Sequence, residues 1–306
     1  MNRTSGITGP GNVGRLTLIA VAIGFLTMFL VVPLVLIFTE AFERGWGAYV
    51  RSLTDAATLA AIRLTLLVTA IVVPLNTFFG VAAAWCITRF RFRGRQLLIT
   101  LIDLPYSVSP VISGLIFILL FGRQGWLGDW LAQRNISIIF AFPGIVLATL
   151  FVTFPFVARE LIPLMESQGS EEEEAAILLG ASGFQTFMRV TLPNIRWGLL
   201  YGILLCSGRA LGEFGAVVVV SGALRGETVT VPLHIETLYN EYQITAAFAV
   251  ASLLTLLALV TLVLNGFFEW KQHRAVLAGM TGELTEPAEH RPLRGPAPAG
   301  GIRDGN

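Results

Sequence analysis

The chain has 306 residues, 54% of them hydrophobic and only 13% charged, against a charged share of roughly 25% in ordinary soluble domains. Such a composition belongs in a bilayer rather than in water. The formal net charge of +1 gives no argument for a nucleic-acid partner, and the one arginine run, 89–95, lies between two apolar spans.

The amino terminus, Met1 to Arg15, is rich in Gly, Thr and Ser and reads as a disordered cytoplasmic arm. Residues 16–38 are then continuously apolar, and about 23 residues suffice to cross the hydrocarbon core as a tilted helix. A signal peptide is the rival reading. The run is longer than a signal's apolar region and no small-x-small site follows before Glu40, so it is taken as a retained anchor. Residues 40–58 read as a loop with interfacial Trp46 and Tyr49. A second span, 59–88, runs into Arg89, Arg91, Arg93 and Arg95. Basic residues crowded into a short loop between spans place that loop in the cytoplasm. A third span, 97–121, carries Asp103, Pro105 and Pro110; a short exterior loop, 122–137, carries Trp126 and Trp130; a fourth span, 138–158, delivers Arg159 to the inside.

The segment from Ser170 to Pro193 is a polar, helix-patterned interruption of this apolar sequence. Ser170 with Glu173 has the spacing of a capping box, and Gly180 supplies a left-handed stop. Ser182 with Gln185 repeats the capping signature and opens a second short helix carrying Phe184, Phe187 and Val190, which Pro193 closes. The helix pair offers Ala175, Leu178, Leu179, Phe184 and Phe187 without the length to span a membrane, so those apolar faces need protein to cover them. A fifth span at 197–221, an exterior loop, a sixth span at 246–268 and a Pro/Gly-rich disordered tail over 276–306 complete the reading. Lys271 and Arg274 mark the inner end of the last span. Six spans leave both termini and the 166–196 segment on the arginine-rich side.

Arg209 and Glu213, four apart in the fifth span, are ionisable groups at membrane depth and therefore functional candidates. They read either as a structural ion pair or as a contact for a passing oxyanion. Asp103, near the inner end of its span, reads as a residue bonding between helices. Ser107, Ser109 and Ser113 between two prolines line a path or pack as small residues. Gly208, Gly212 and Gly215 suit close helix approach. Cys86 and Cys206 lie in apolar runs and read as small buried hydrophobes. The three histidines are too scattered for ordinary metal-ligand spacing. Lys271 is the only lysine and no glycine precedes it as a phosphate-cradling loop requires, so any ATP-driven step needs another polypeptide.

Glu174-Ala175-Ala176, then Gly180, then Val190, Leu192 and Pro193 resemble the EAA loop of permease subunits of bacterial ABC importers. The segments DLPYSVSPVISG (103–114), FPFVARELIP (154–163), GRALGEFGAVVVVSG (208–222) and RGET (225–228) are similar to the sulfate/thiosulfate members of that family, so the likeness covers most of residues 16–272. The resemblance implies an all-α integral membrane protein of the type I ABC importer permease fold, with about six transmembrane helices and a permease domain at 59–272. It implies a cytoplasmic loop, 166–196, whose Glu174, Ala175, Ala176, Leu178, Gly180, Phe184, Phe187 and Pro193 dock on an ATPase dimer. It further implies a second permease, a periplasmic sulfate/thiosulfate-binding protein, an inner-membrane location among lipid, and no cofactor in this chain, ATP and Mg residing on the ATPase. Molybdate is the alternative substrate. A proton-coupled secondary transporter, with Asp103 and Glu213 titrating, is the alternative mechanism.

Overall fold

A computed structural model describes residues 12–285, with side-chain environments for 14–264. Among the described residues every regular element is helical. The first is a rod of α1 (Asn12–Leu26), a π turn (Thr27–Val31) and α2 (Val32–Phe42). It gives an apolar stretch, Gly14–Phe42, of 29 residues that contains the expected first span. The most apolar part of this rod is not buried, and α2 leans on the long last helix, α15 (Ile244–Thr285).

The loop expected at 40–58 is in fact largely helix, α3 (Trp46–Thr54). Phe42, Trp46 and Tyr49 are spaced one turn apart and stack with ring centroids 4.4 to 5.7 Å from one another, an aromatic stripe that a loop would not hold in register. Asp55 then caps α4 (Ala56–Arg89), its Oδ2 accepting from the amide of Ala57 at 3.0 Å.

The third expected span is not straight. α5 (Arg95–Ser107) and α6 (Pro110–Phe121) meet at 108°. Pro110 forces the residue before it out of helical geometry, and Ser109 sits at φ −56°, ψ 136°. The exterior loop that follows holds the short α7 (Gly128–Ala132). α8 (Phe142–Thr153) and α9 (Pro155–Gln168) then make one 27-residue apolar stretch that continues past the expected end at Ala158.

The fifth expected span starts earlier and breaks: α12 (Leu192–Leu211) stops at Gly212, and a separate helix, α13 (Gly215–Val220), follows. The exterior loop expected after it contains α14 (Val231–Asn240), whose Val231, Leu233, His234 and Leu238 are buried. α15 encloses the sixth expected span and continues to Thr285, ten residues into the expected tail at 276–306. The rest of that tail and most of the arm at 1–15 lie outside the described residues, as do the side chains of Lys271 and Arg274.

By length and composition, four helices among the described residues are able to cross a membrane, or five if the bent α5–α6 pair is one span. About six were expected; α12, 20 residues long and carrying Arg196 and Arg209, is not among these apolar helices.

The core lies where α4, α9 and α12 meet, around buried Val73, Ala84, Val157, Leu161, Ile195 and Ala210. Small residues make this approach possible. A Cβ on Gly80 would stand 2.8 Å from Val157 Cβ, and one on Gly198 would stand 2.3 Å from Leu164 Cδ2. With no hydrophobic driving force between helices in lipid, such contacts supply the dispersion that holds them. Asn76 adds a polar pin, its Nδ2 donating to Thr153 Oγ1 at 2.7 Å. A second cluster joins α4, α14 and α15 through Ala61, Val231, Leu238, Ala247 and Val250.

Candidate functional site

The segment between α9 and α12 forms a helix pair, α10 (Glu171–Leu178) and α11 (Gly183–Thr186), followed by a π turn over Phe187–Thr191. α10 ends as its sequence predicts. Gly180 has φ +91°, Ala181 N–H donates to Ala176 O at 3.0 Å and Gly180 N–H to Ile177 O at 2.9 Å, the two bonds of a Schellman stop. The second capping box also forms: Gln185 N–H donates to Ser182 Oγ at 3.3 Å, and Ser182 N–H to Gln185 Oε1 at 3.0 Å.

The first capping box does not form. Ser170 Oγ donates to Glu174 Oε1 at 2.6 Å instead, and Glu173 is turned inward. Glu173 Oε2 pairs with Arg89 Nε at the end of α4, while Oε1 accepts from Thr191 Oγ1 at 2.6 Å. A charge-assisted pair carrying a further hydrogen bond outweighs one cap bond to a backbone amide. Pro193 does not close the segment either, because the π turn leads directly into α12 with Pro193 in its first turn.

Leu178, Leu179 and Phe184 are 88%, 90% and 71% exposed, and the flanking Ala175 and Glu174 are exposed as well. Ala176 is half-buried. Phe187 departs from the expected docking set, its ring lying 5.2 Å from that of Trp85 within the same chain. Two exposed residues not singled out from the sequence, Ile177 and Met188, extend the surface. Met188 follows Phe184 by one helical turn, a spacing that was available to the sequence reading.

The loop sits at the end of the molecule where the arginines gather. Arg95 donates to Glu166 Oε1 at 2.6 Å, and Arg159 Nε lies 3.2 Å from Asp103 Oδ1 with its guanidinium 4.7 Å over the Tyr106 ring. Asp103 is thus the bond between α5 and α9 that its position suggested. At the opposite end Arg225 Nη2 donates to both carboxylate oxygens of Glu241, at 2.6 and 2.7 Å. There His234 is buried with Nε2 3.1 Å from Thr58 Oγ1. Burial, aided by the charge of Arg225 and opposed by Asp55 and Glu241, pushes the His234 imidazole below its ordinary pKa.

Arg209 Nη1 and Glu213 Oε2 stand 2.7 Å apart. They are not on one continuous helix, since Glu213 lies past the end of α12 and its Oε1 accepts the amide of Ala216 at 2.9 Å. Ser107 and Ser109 are exposed at the α5–α6 bend, and Ser113 is buried with its hydroxyl on Ser109 O at 3.2 Å. Close approach is real at Gly215, whose Cβ would meet Pro110 at 2.9 Å; Gly208 has Thr261 at 3.8 Å, and Gly212 meets only its own helix. Cys206 is buried beside Asn76 and Cys86 is half-buried.

Residues 76–274 match the family model described as binding-protein-dependent transport system inner membrane component. The chain is 52% identical over 262 residues to the sulfate transport system permease protein CysW of Escherichia coli strain K12, covering 86% of this chain and 90% of that one. It is 36% identical over 238 residues to the sulfate transport system permease protein CysT of the same organism, covering 78% and 86%. A crystal structure of a bacterial ABC transporter involved in the import of alginate superimposes with a TM-score of 0.70 at 19% identity, over 85% of this chain and 94% of that one. The fold is thereby that of an ABC importer permease, and this chain belongs to the family of binding-protein-dependent transport system inner membrane components.

Proposed function

We propose that this chain is a permease subunit of an ATP-driven importer that moves sulfate, or the similarly charged tetrahedral thiosulfate, into the cytoplasm by alternating access. The observation that carries the reading is the exposed apolar face of Leu178, Leu179 and Phe184 on a helix pair too short to cross a membrane. Such a face calls for a protein partner. A CysA-like ATPase dimer, holding ATP and Mg, is the partner that supplies the energy this chain has no phosphate-cradling loop to harvest. A CysT-like second permease and a periplasmic sulfate/thiosulfate-binding protein complete the assembly. The crowding of Arg89, Arg95 and Arg159 at the loop's end supports a cytoplasmic loop and cytoplasmic termini in a bacterial inner membrane. Asp103 and Glu213 are each taken up in an ion pair, with Arg159 and Arg209, that ties two helices together, a structural use that needs no proton coupling.

The test is expression in cells lacking their own sulfate permease, with radiolabelled sulfate uptake and co-purification of bound subunits. Uptake that collapses on ATP depletion but survives a proton ionophore, with an ATPase and a second permease in the purified material, is expected. Uptake competed by molybdate rather than by sulfate or thiosulfate overturns the substrate, and sensitivity to the ionophore overturns the energy source.

A further inference from the structure

Glu173 stands in a row of four glutamates, Glu171 to Glu174, and is the buried one. Its carboxylate is engaged on both oxygens, by Arg89 and by Thr191, and the Arg89 and Glu173 side chains are each only 11% exposed. Arg89 is the last residue of α4, and its Nη1 also donates to the carbonyl of Met165 in α9 at 3.1 Å. One carboxylate therefore joins the end of α4, the helix α10 and the π turn leading into α12. The other polar ties of α10, from Ser170 to Glu174 and from Asn194 to Glu172, are exposed, where water competes with them. The backbone joints around α10 are glycines of positive φ, Gly169 at +72° and Gly180 at +91°, which carry no side chain to brace α10 against its neighbours.

We propose that Glu173 is a positioning residue that makes the loop and α4 move as one body, so that displacement of the loop by an ATPase reaches the membrane core through Arg89. The proposal rests on the permease reading above. α4 lines the core against α9 and α12 through Val73, Ala84 and Gly80, so a shift delivered to Arg89 is delivered to that core. Without the strut, the Phe187–Trp85 contact still ties the π turn to α4, but α10 itself shifts on its glycine joints and passes less of its motion to Arg89.

The complex is purified with its second permease and ATPase from cells carrying the parent chain, Glu173→Gln, Arg89→Met, or both changes, and reconstituted in proteoliposomes. Glu173→Gln keeps the shape and the bond to Thr191 while losing the charge that holds Arg89. Three quantities are read: ATPase retained per permease, ATP hydrolysed, and radiolabelled sulfate moved per ATP. The expected result is ATPase retained as in the parent, with sulfate moved per ATP reduced about fivefold or more in each single variant and no further in the double variant. An unchanged ratio in a complex that retains its ATPase overturns the proposal. So does loss of ATPase in step with loss of uptake while the remaining complex keeps the parent ratio, since the residues then serve only folding. Absence of ATPase from the parent preparation overturns the permease reading and this proposal together; failure confined to the variants' ratio overturns this proposal alone.

Discussion

Arg209 and Glu213 meet at 2.7 Å across a break in the chain, the arginine in the last turn of α12 and the carboxylate beyond it, 1% exposed and bonded to the amide of Ala216 at the start of α13. The pair ties two helices that the glycine at 212 separates. Removing one partner leaves the other uncompensated at low dielectric, at a cost of about 3–5 kcal/mol. Arg209→Met and Glu213→Met are each expected to lower folded protein in the membrane, and the double change to restore both abundance and sulfate uptake. The Ala216 contact makes Glu213→Met the worse single change. Recovered abundance without recovered uptake in the double variant would show that Arg209 meets the anion.

The stop at Gly180 is testable by itself. Its φ of +91° is strained for any L side chain although nothing lies within 4 Å of a Cβ there, so Gly180→Val is expected to cost about 1–2 kcal/mol locally and to swing α11 away from α10. ATPase pull-down should fall while membrane insertion stays normal, and Glu174→Lys should act in the same direction. Gly183→Ala, at an open site without positive φ, is the control and should bind as the parent does. Normal pull-down by both Gly180→Val and Glu174→Lys removes the docking role from this loop.

Orientation is read by labelling single cysteines in intact cells with an impermeant thiol reagent. Trp126 and Tyr242 are 91% and 89% exposed at the end opposite the loop, so Trp126→Cys and Tyr242→Cys are expected to be labelled. Arg93→Cys and Glu172→Cys, also exposed but at the loop's end, are expected to react only after the cells are opened. Labelling of Glu172→Cys in intact cells reverses the orientation.

His234 gives a pH dependence whose sign follows from its burial. Its folded pKa lies below the unfolded value, about 6.5 for a free imidazole, so the unfolded chain binds more protons and stability rises with pH. The contribution is complete above about pH 6.5 and is lost as the pH falls from there through the folded value. Thermal unfolding of the purified protein should show a midpoint falling on that acid side, and His234→Gln should flatten the slope. An equal acid slope in the variant assigns the effect to another group.

The membrane class, the long apolar helical stretches near 16–38 and 59–88, the Gly180 stop and the Ser182 cap were legible because each rests on local properties: apolar length, left-handed geometry that glycine tolerates, and a hydroxyl three residues from an amide. The family likeness was legible for the same reason, being carried by residues at fixed spacing. Tertiary structure decided what depends on which neighbour wins. Four adjacent glutamates are equivalent in sequence, yet only Glu173 reaches Arg89, because α4 and the π turn arrive on that side of α10. Phe187 and Phe184 carry the same side chain, and the first packs on Trp85 while the second stays open. The straight third span became a 108° bend, and the loop after α13 a buried helix. Hydropathy sums apolar content along a window, whereas the direction of a helix is set by single backbone torsions such as that of Ser109, and burial is set by contacts from residues far away in the chain.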